Sequence, residues 1–282
     1  MSALPSIAQT AGRPPVVLTI AGSDPSGGAG IQADLKTFSA LGAYGTSVIT
    51  ALTAQNTTGV TGIQLIRATF VTDQLETLVS DVRIDAIKIG MLSTHEVADA
   101  VAEFLRGHPH DVVVLDPVMV ATSGDRLLSK EAVEAIRRLL PLAGLVTPNV
   151  DEAADLLGAE PATDVEGLLE QARAIIALGA QRVLVKGGHL TDQPAAIDVY
   201  VGDGVEQVLS VPRIGTTNTH GTGCTLSSAI AALRARDPSW LAATLAAKQW
   251  LTGAIAAADG LDIGHGHGPV HHFYQWWDQP TR

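Results

Sequence analysis

The sequence predicts a three-layer αβα domain of the α/β class, with a mostly parallel central sheet and an antiparallel edge hairpin. Three observations predict it. Short, almost wholly apolar runs alternate with longer amphipathic segments along most of the chain. Strands that are apolar on both faces are buried on both faces, as a parallel sheet requires. Late in the chain, two neighbouring runs are separated only by Gly202-Asp203-Gly204, a hairpin turn signal. The composition agrees: 282 residues, 46% hydrophobic and 17% charged with 4% aromatic, describe a globular chain with an aliphatic core.

Residues 1–15 mix Ser, Ala, Gly and Pro without periodicity and predict a flexible extension, leaving 16–282 as a single domain. Strand 16–20 opens that domain and feeds a helix over 29–41. The same rhythm gives strand 47–52 and helix 72–82, strand 87–91 and helix 94–105, strand 112–115 and helix 130–140. Strand 145–147 precedes a short helix over 151–157, and a long helix over 165–178 leads into strand 182–185. Runs 197–201 and 205–211 form the hairpin, and helices over 221–234 and 240–258 close the chain.

Charge and cysteine content exclude several classes. Eighteen Lys and Arg against 29 Asp and Glu give a net charge of −11, which argues against nucleic acid or an anionic membrane as partner. No run of about 18 apolar residues predicts a membrane span. The lone Cys224 forms no internal disulfide and no signal sequence opens the chain, so a cytoplasmic location is expected.

In open α/β sheets, ligands collect at the carboxyl ends of the strands, so the strand-to-helix junctions are where chemistry is sought. The Gly-rich run 20–30 after the first strand brings backbone close to a ligand. Its loose GxGxxA match at 28–33 lacks the acid about 20 residues on that dinucleotide binding needs, and no GxxxxGK[ST] occurs. Asp34 follows one turn later, where a solvated helix charge is an equal alternative. Thr219-His220-Gly221-Thr222-Gly223-Cys224 opens a helix whose free N–H groups and positive end suit an anion such as a transferred phosphoryl group. The helix dipole would lower the Cys224 thiol from about 8.5 and let the thiolate take a proton, although simple packing explains a lone Cys as well.

Asp116 and Glu152 follow two further strands, and hard oxygen ligands there suit a magnesium ion held partly through water and nucleotide phosphates. Asn149 and Glu152 also fit a helix capping box. Lys186 ends strand 182–185 where nucleotide phosphates would lie. Gln55 offers an acceptor beside two donors, the complement of an aminopyrimidine edge, and Met91 an adaptable wall for a flat ring. His265, His267, His271 and His272 do not follow a recognised zinc spacing.

Taken together, the stretches 19–36, Ala54-Gln55-Asn56-Thr57, Lys88-Ile89-Gly90-Met91, Lys186-Gly187-Gly188-His189, 218–224 and 268–272 closely resemble the ribokinase superfamily. Within it, they are similar to the hydroxymethylpyrimidine and phosphomethylpyrimidine kinases of thiamine biosynthesis. The resemblance implies a ribokinase-like fold, a homodimer, and use of ATP and Mg²⁺. The implied reaction is phosphorylation of 4-amino-5-hydroxymethyl-2-methylpyrimidine to its monophosphate, then of the monophosphate to the diphosphate. By the same resemblance Gly22, Asp34, Gln55 and Met91 surround the pyrimidine, with Gln55 and Asp34 reading its polar edge. Gly221, Thr222 and Gly223 form an anion hole, with Cys224 as the catalytic base. Lys186, Thr216 and Asp116 serve the nucleotide, and Asp116 and Glu152 the metal. A pyridoxine or pyridoxal kinase of the same superfamily is the alternative, and a non-catalytic pyrimidine-binding protein a more distant one.

Overall fold

Short apolar runs buried on both faces build the middle of the sheet. The computed structural model describes residues 13–119, 130–188 and 195–277. In chain order the elements are β1 (Val16–Ser23), α1 (Gly30–Ala40), β2 (Tyr44–Asn56), β3 (Gly59–Leu65), α2 (Ala68–Val79), β4 (Ala86–Ile89), α3 (His95–Gly107) and β5 (Val113–Leu115). There follow α4 (Lys130–Arg137), β6 (Leu145–Val146), α5 (Val150–Leu157), α6 (Val165–Ala177), β7 (Val183–Lys186), β8 (Ala195–Gly202), β9 (Val205–Pro212), α7 (Thr222–Arg234) and α8 (Trp240–Ala256). Side chains alternate between faces along a strand, so Leu18 and Ile20 of β1 join one core while Val17 joins the other. The first core is shared with α2 to α6, the second with α1, α7 and α8, which gives the three layers.

The sheet order is β3-β2-β1-β4-β5-β6-β7-β8-β9. The six strands β2, β1, β4, β5, β6 and β7 run parallel, and β8 and β9 add the predicted antiparallel hairpin. The other edge differs from expectation. Strand β2 runs on to Asn56 and pairs antiparallel with β3, so both edges are antiparallel. Residues 59–65 escape an apolar-run reading because this edge strand is mostly exposed, and the turn signal was Asn56-Thr57-Thr58-Gly59 itself.

Residues 1–12 of the expected extension lie outside the described residues. Arg13 is held 2.9 Å from Asp85, and the Pro15 carbonyl accepts from the Tyr44 amide at 2.8 Å, so 13–15 are tied to the sheet at the amino end of the interior strand β1. His189 also lies outside the described residues. Among the described residues no helix is long and apolar enough to cross a membrane.

Candidate active site

The carboxyl ends of β1, β4, β5, β6 and β7 open on one side of the sheet, and the loops that leave them wall a cavity of about 800 Å³. Gly22, Gln55, Met91, Asp116, Glu152, Lys186, Gly221, Thr222, Gly223 and Cys224 all line it. Sequence positions as distant as 22 and 224 thus meet because the topology brings β1 and α7 together.

One end is charged. Lys186 donates to Asp116 at 2.8 Å and its ammonium lies 3.7 Å from Glu152. Asp116 also accepts from Thr147 and Ser227, each at 3.2 Å. Burial opposes ionisation of Asp116, yet Lys186 and Lys88 hold its carboxyl below the usual carboxylate range. Burial pushes Glu152 up to about 7, against the pull of Lys186, and Asp116 beside it adds to the rise. Glu152 also closes the capping box of α5: its carboxylate accepts the Asn149 amide at 2.7 Å and its own amide donates to Asn149 Oδ1 at 2.8 Å. Both readings of the Asn149-to-Glu152 stretch thus rest on one side chain.

The Gly221-Thr222-Gly223 turn lies beside this end. Gly221 takes φ +74°, and a Cβ there would lie 1.8 Å from the Gly28 carbonyl oxygen, so the turn presses on the β1–α1 loop as only glycine permits. Helix α7 starts without a side-chain cap, leaving its positive end toward the cavity.

Gly22, Met91 and Gln55 line another part of the cavity and carry no formal charge. Gly22 makes room for Met91, whose terminal carbon would lie 2.4 Å from a Cβ at position 22. Gln55 reaches in from β2, with Oε1 accepting from Thr53 Oγ1 at 3.1 Å and Nε2 lying 3.4 Å from His220 Nε2. His220 in turn lies 2.8 Å from Asp24 Oδ2. Burial opposes ionisation of Asp24, but His220, Ser26 and the Ala29 amide hold its carboxyl down at about 2.

Comparison with known proteins places this geometry. The family model for phosphomethylpyrimidine kinase matches residues 24–271. The chain belongs to the phosphomethylpyrimidine kinase family. The hydroxymethylpyrimidine/phosphomethylpyrimidine kinase of Salmonella typhimurium is 58% identical over 261 residues, covering 92% of this chain and 98% of that protein. The solved phosphomethylpyrimidine kinase of Clostridium difficile superposes with TM-score 0.76 at 42% identity, over 86% of this chain and 99% of that one. The ADP complex of Bacillus subtilis pyridoxal kinase superposes with TM-score 0.86 at 36% identity, over 94% and 99%. The fold is therefore ribokinase-like and the chain is an ATP-using phosphotransferase.

Four expectations for this kinase need correcting. Asp34 does not line the cavity: its wholly buried carboxylate accepts from Lys88 Nζ at 2.9 Å, Thr19 Oγ1 at 2.6 Å and Ser228 Oγ at 2.6 Å, leaving it no edge to show a substrate. Thr216 does not line it either, because its hydroxyl bonds Asp259 and accepts the Asn218 amide. Thr222 spends both its amide and its hydroxyl on the Thr219 carbonyl, so it shapes the turn and has no free donor to offer an anion. Cys224 is no low-pKa thiol: burial pushes it up to about 11, although Lys88 and the Gly30 amide pull the other way. The dipole argument had left out desolvation.

Sequence reasoning also missed residues of this kinase's cavity. Lys88 sits in a strand whose neighbours Ile87 and Ile89 face the opposite core, so alternation turns it toward α1 and α7. A lysine inside an apolar strand was the available signal. His220 was quoted within its motif but given no role. Lys248 of α8 also lines the cavity and lies 2.5 Å from Asp198 of β8, a pair that no local motif announces.

Proposed function

We propose that this chain transfers the γ-phosphoryl group of ATP to the hydroxymethyl oxygen of 4-amino-5-hydroxymethyl-2-methylpyrimidine, then a second one to the monophosphate, in thiamine biosynthesis. The observation that carries this reading is one cavity lined by the uncharged Gly22, Met91 and Gln55, by the charged cluster Lys186, Asp116 and Glu152, and by Cys224 with the α7 turn.

Gln55 reads the polar edge of the ring and Met91 lies against its face. The α7 turn and Lys186 hold the phosphoryl group and take up charge in a loose transition state. Cys224 accepts the hydroxyl proton as a thiolate, a form favoured by the buried Lys88 ammonium and opposed by desolvation. In the second step the acceptor phosphate is largely ionised at neutral pH, its second pKa being about 6, so Cys224 matters less there.

Magnesium fits the donor set. Asp116 and Glu152 are hard oxygen donors on one cavity wall, and a buried carboxyl held near pH 7 gains from a cation beside it. Among the described residues no group of three or more His, Cys, Asp or Glu is placed to hold a metal. The ion would therefore be held by these two residues, through water, and by phosphate oxygens, and bound there it supplies charge neutralisation. A cytoplasmic, homodimeric enzyme completes the reading, the dimer supported by exposed Leu52, Ile63 and Leu65 on the β2–β3 edge.

The test is ATP consumption by the purified chain with Mg²⁺ and either hydroxymethylpyrimidine or pyridoxine, with products resolved by mass. Pyrimidine diphosphate is the expected product. Phosphate on pyridoxine alone would move the assignment to the vitamin B6 kinases, and no turnover on either would sink it.

A further inference from the structure

The carboxamide of Gln55 is oriented from outside the substrate. Asp24 is an acceptor-only carboxylate that already takes hydrogen bonds from Ser26 N, Ser26 Oγ and Ala29 N. His220 Nε2, 2.8 Å from Asp24 Oδ2, must therefore carry the proton, whether the ring is neutral or cationic. A protonated Nε2 cannot accept from the Gln55 amino group 3.4 Å away. On the other side, Thr53 Oγ1 has one proton, and both Gln55 Oε1 at 3.1 Å and the Ser23 carbonyl at 2.9 Å compete for it.

A half-turn of the Gln55 carboxamide frees the Thr53 proton and ends the donor-against-donor contact, with Oε1 becoming a second, weaker acceptor for the His220 N–H that Asp24 already takes. Oε1 then faces the His220 Nε2–H, the amino group donates to Thr53 Oγ1, and the Thr53 proton goes to Ser23. We infer that His220, locked by Asp24, is a specificity-determining positioning residue that fixes the order of donor and acceptor which Gln55 shows along the cavity wall. A ligand edge must then place an acceptor near the Thr53 side and a donor near the His220 side. An aminopyrimidine has both, as a ring nitrogen next to an exocyclic amino group. Pyridoxine carries its ring hydroxyl one carbon away from the ring nitrogen and so has no ring-nitrogen acceptor next to an amino donor, and the order selects against it.

The inference rests on the reading that Gln55 contacts the ring, and Gln55→Ala tests that reading separately by the pyrimidine KM. The inference itself is tested by kcat/KM for hydroxymethylpyrimidine relative to pyridoxine. His220→Leu is expected to lower that ratio roughly tenfold, about the worth of one hydrogen bond, with the loss mainly in the pyrimidine KM. His220→Gln, which returns an N–H near the Nε2 position, should restore it to within about threefold. Thr53→Val, which removes the acceptor at the other end, should lower the ratio in the same direction and leaves the Asp24–His220 contact unchanged. Equal losses on both substrates in His220→Leu and Thr53→Val, with the ratio unmoved, would overturn the inference. An unchanged pyrimidine KM in Gln55→Ala would remove the contact on which it rests.

Discussion

The ammonium of Lys88 lies 2.9 Å from each carboxylate oxygen of Asp34, and neither side chain has any exposure to water. One charge comes from a strand and the other from the first helix, and Thr19 and Ser228 complete the carboxylate's hydrogen bonds. Removing either partner leaves an uncompensated charge in the interior. Asp34→Ala is therefore expected to cost about 3–5 kcal/mol, as breaking a buried pair does, while the double change Lys88→Met with Asp34→Leu recovers most of that loss. Denaturant unfolding of the three proteins decides it. A double variant no more stable than the single one would show that the pair is not the source of the cost.

The thiol of Cys224 is the chain's only one, so alkylation reports on it alone. With the thiol raised from 9.0 to about 11, its thiolate fraction at pH 8 is about a hundredfold below that of an unperturbed cysteine, and iodoacetamide should react correspondingly slowly. Lys88→Met should slow it further. Reaction at the rate of free cysteine would mean that the cavity stabilises the anion far better than its desolvation suggests.

Gly221→Ala combines a left-handed backbone with a methyl group driven into the Gly28 carbonyl. Loss of nearly all phosphoryl transfer is expected, with at least about 1–2 kcal/mol of stability lost to the backbone alone. Gly188→Ala is the control, since nothing lies within 4 Å of a Cβ there. Similar damage from both would point to a general intolerance of the loops.

Glu152 makes stability depend on pH in a definite direction. Its folded carboxyl, at about 7, lies above the unfolded value of 4.5. Its contribution is thus fully present below pH 4.5 and lost as pH rises through about 7. Glu152→Gln keeps an oxygen for the Asn149 amide but cannot ionise. Its stability relative to the parent should therefore climb between pH 5 and pH 8, and a flat difference across that range, followed by thermal or denaturant melts, would refute the shift.

The parallel middle of the sheet was legible because strands such as β4 and β5 are buried on both faces and show it as continuous apolar runs. Strand β3 was not, because its pairing with β2 is made by backbone and leaves most of its side chains in water. In the site, Asp116 and Lys186 were expected at strand ends and the Gly22 stretch at the end of the first strand, and all three do stand where a parallel strand stops and line the cavity. Asp34 was misplaced because a motif tells how far a residue is from a loop, not which distant charge will claim it. That charge, Lys88, is 54 residues away in sequence. Cys224 was misjudged for a related reason, since burial is a property of the assembled layers and no local pattern carries it.

The Asp24–His220 contact spans 196 residues of chain, and Asp34–Ser228 spans 194. During synthesis at roughly 5–20 residues per second, Asp24 leaves the ribosome about 10–40 s before its partner has been made. The Gly-rich loop is thus built long before anything exists for it to close against. A nascent chain halted short of α7 would own every parallel strand and still have no working cleft, so catalytic competence marks the end of translation and arrives together with its last helices.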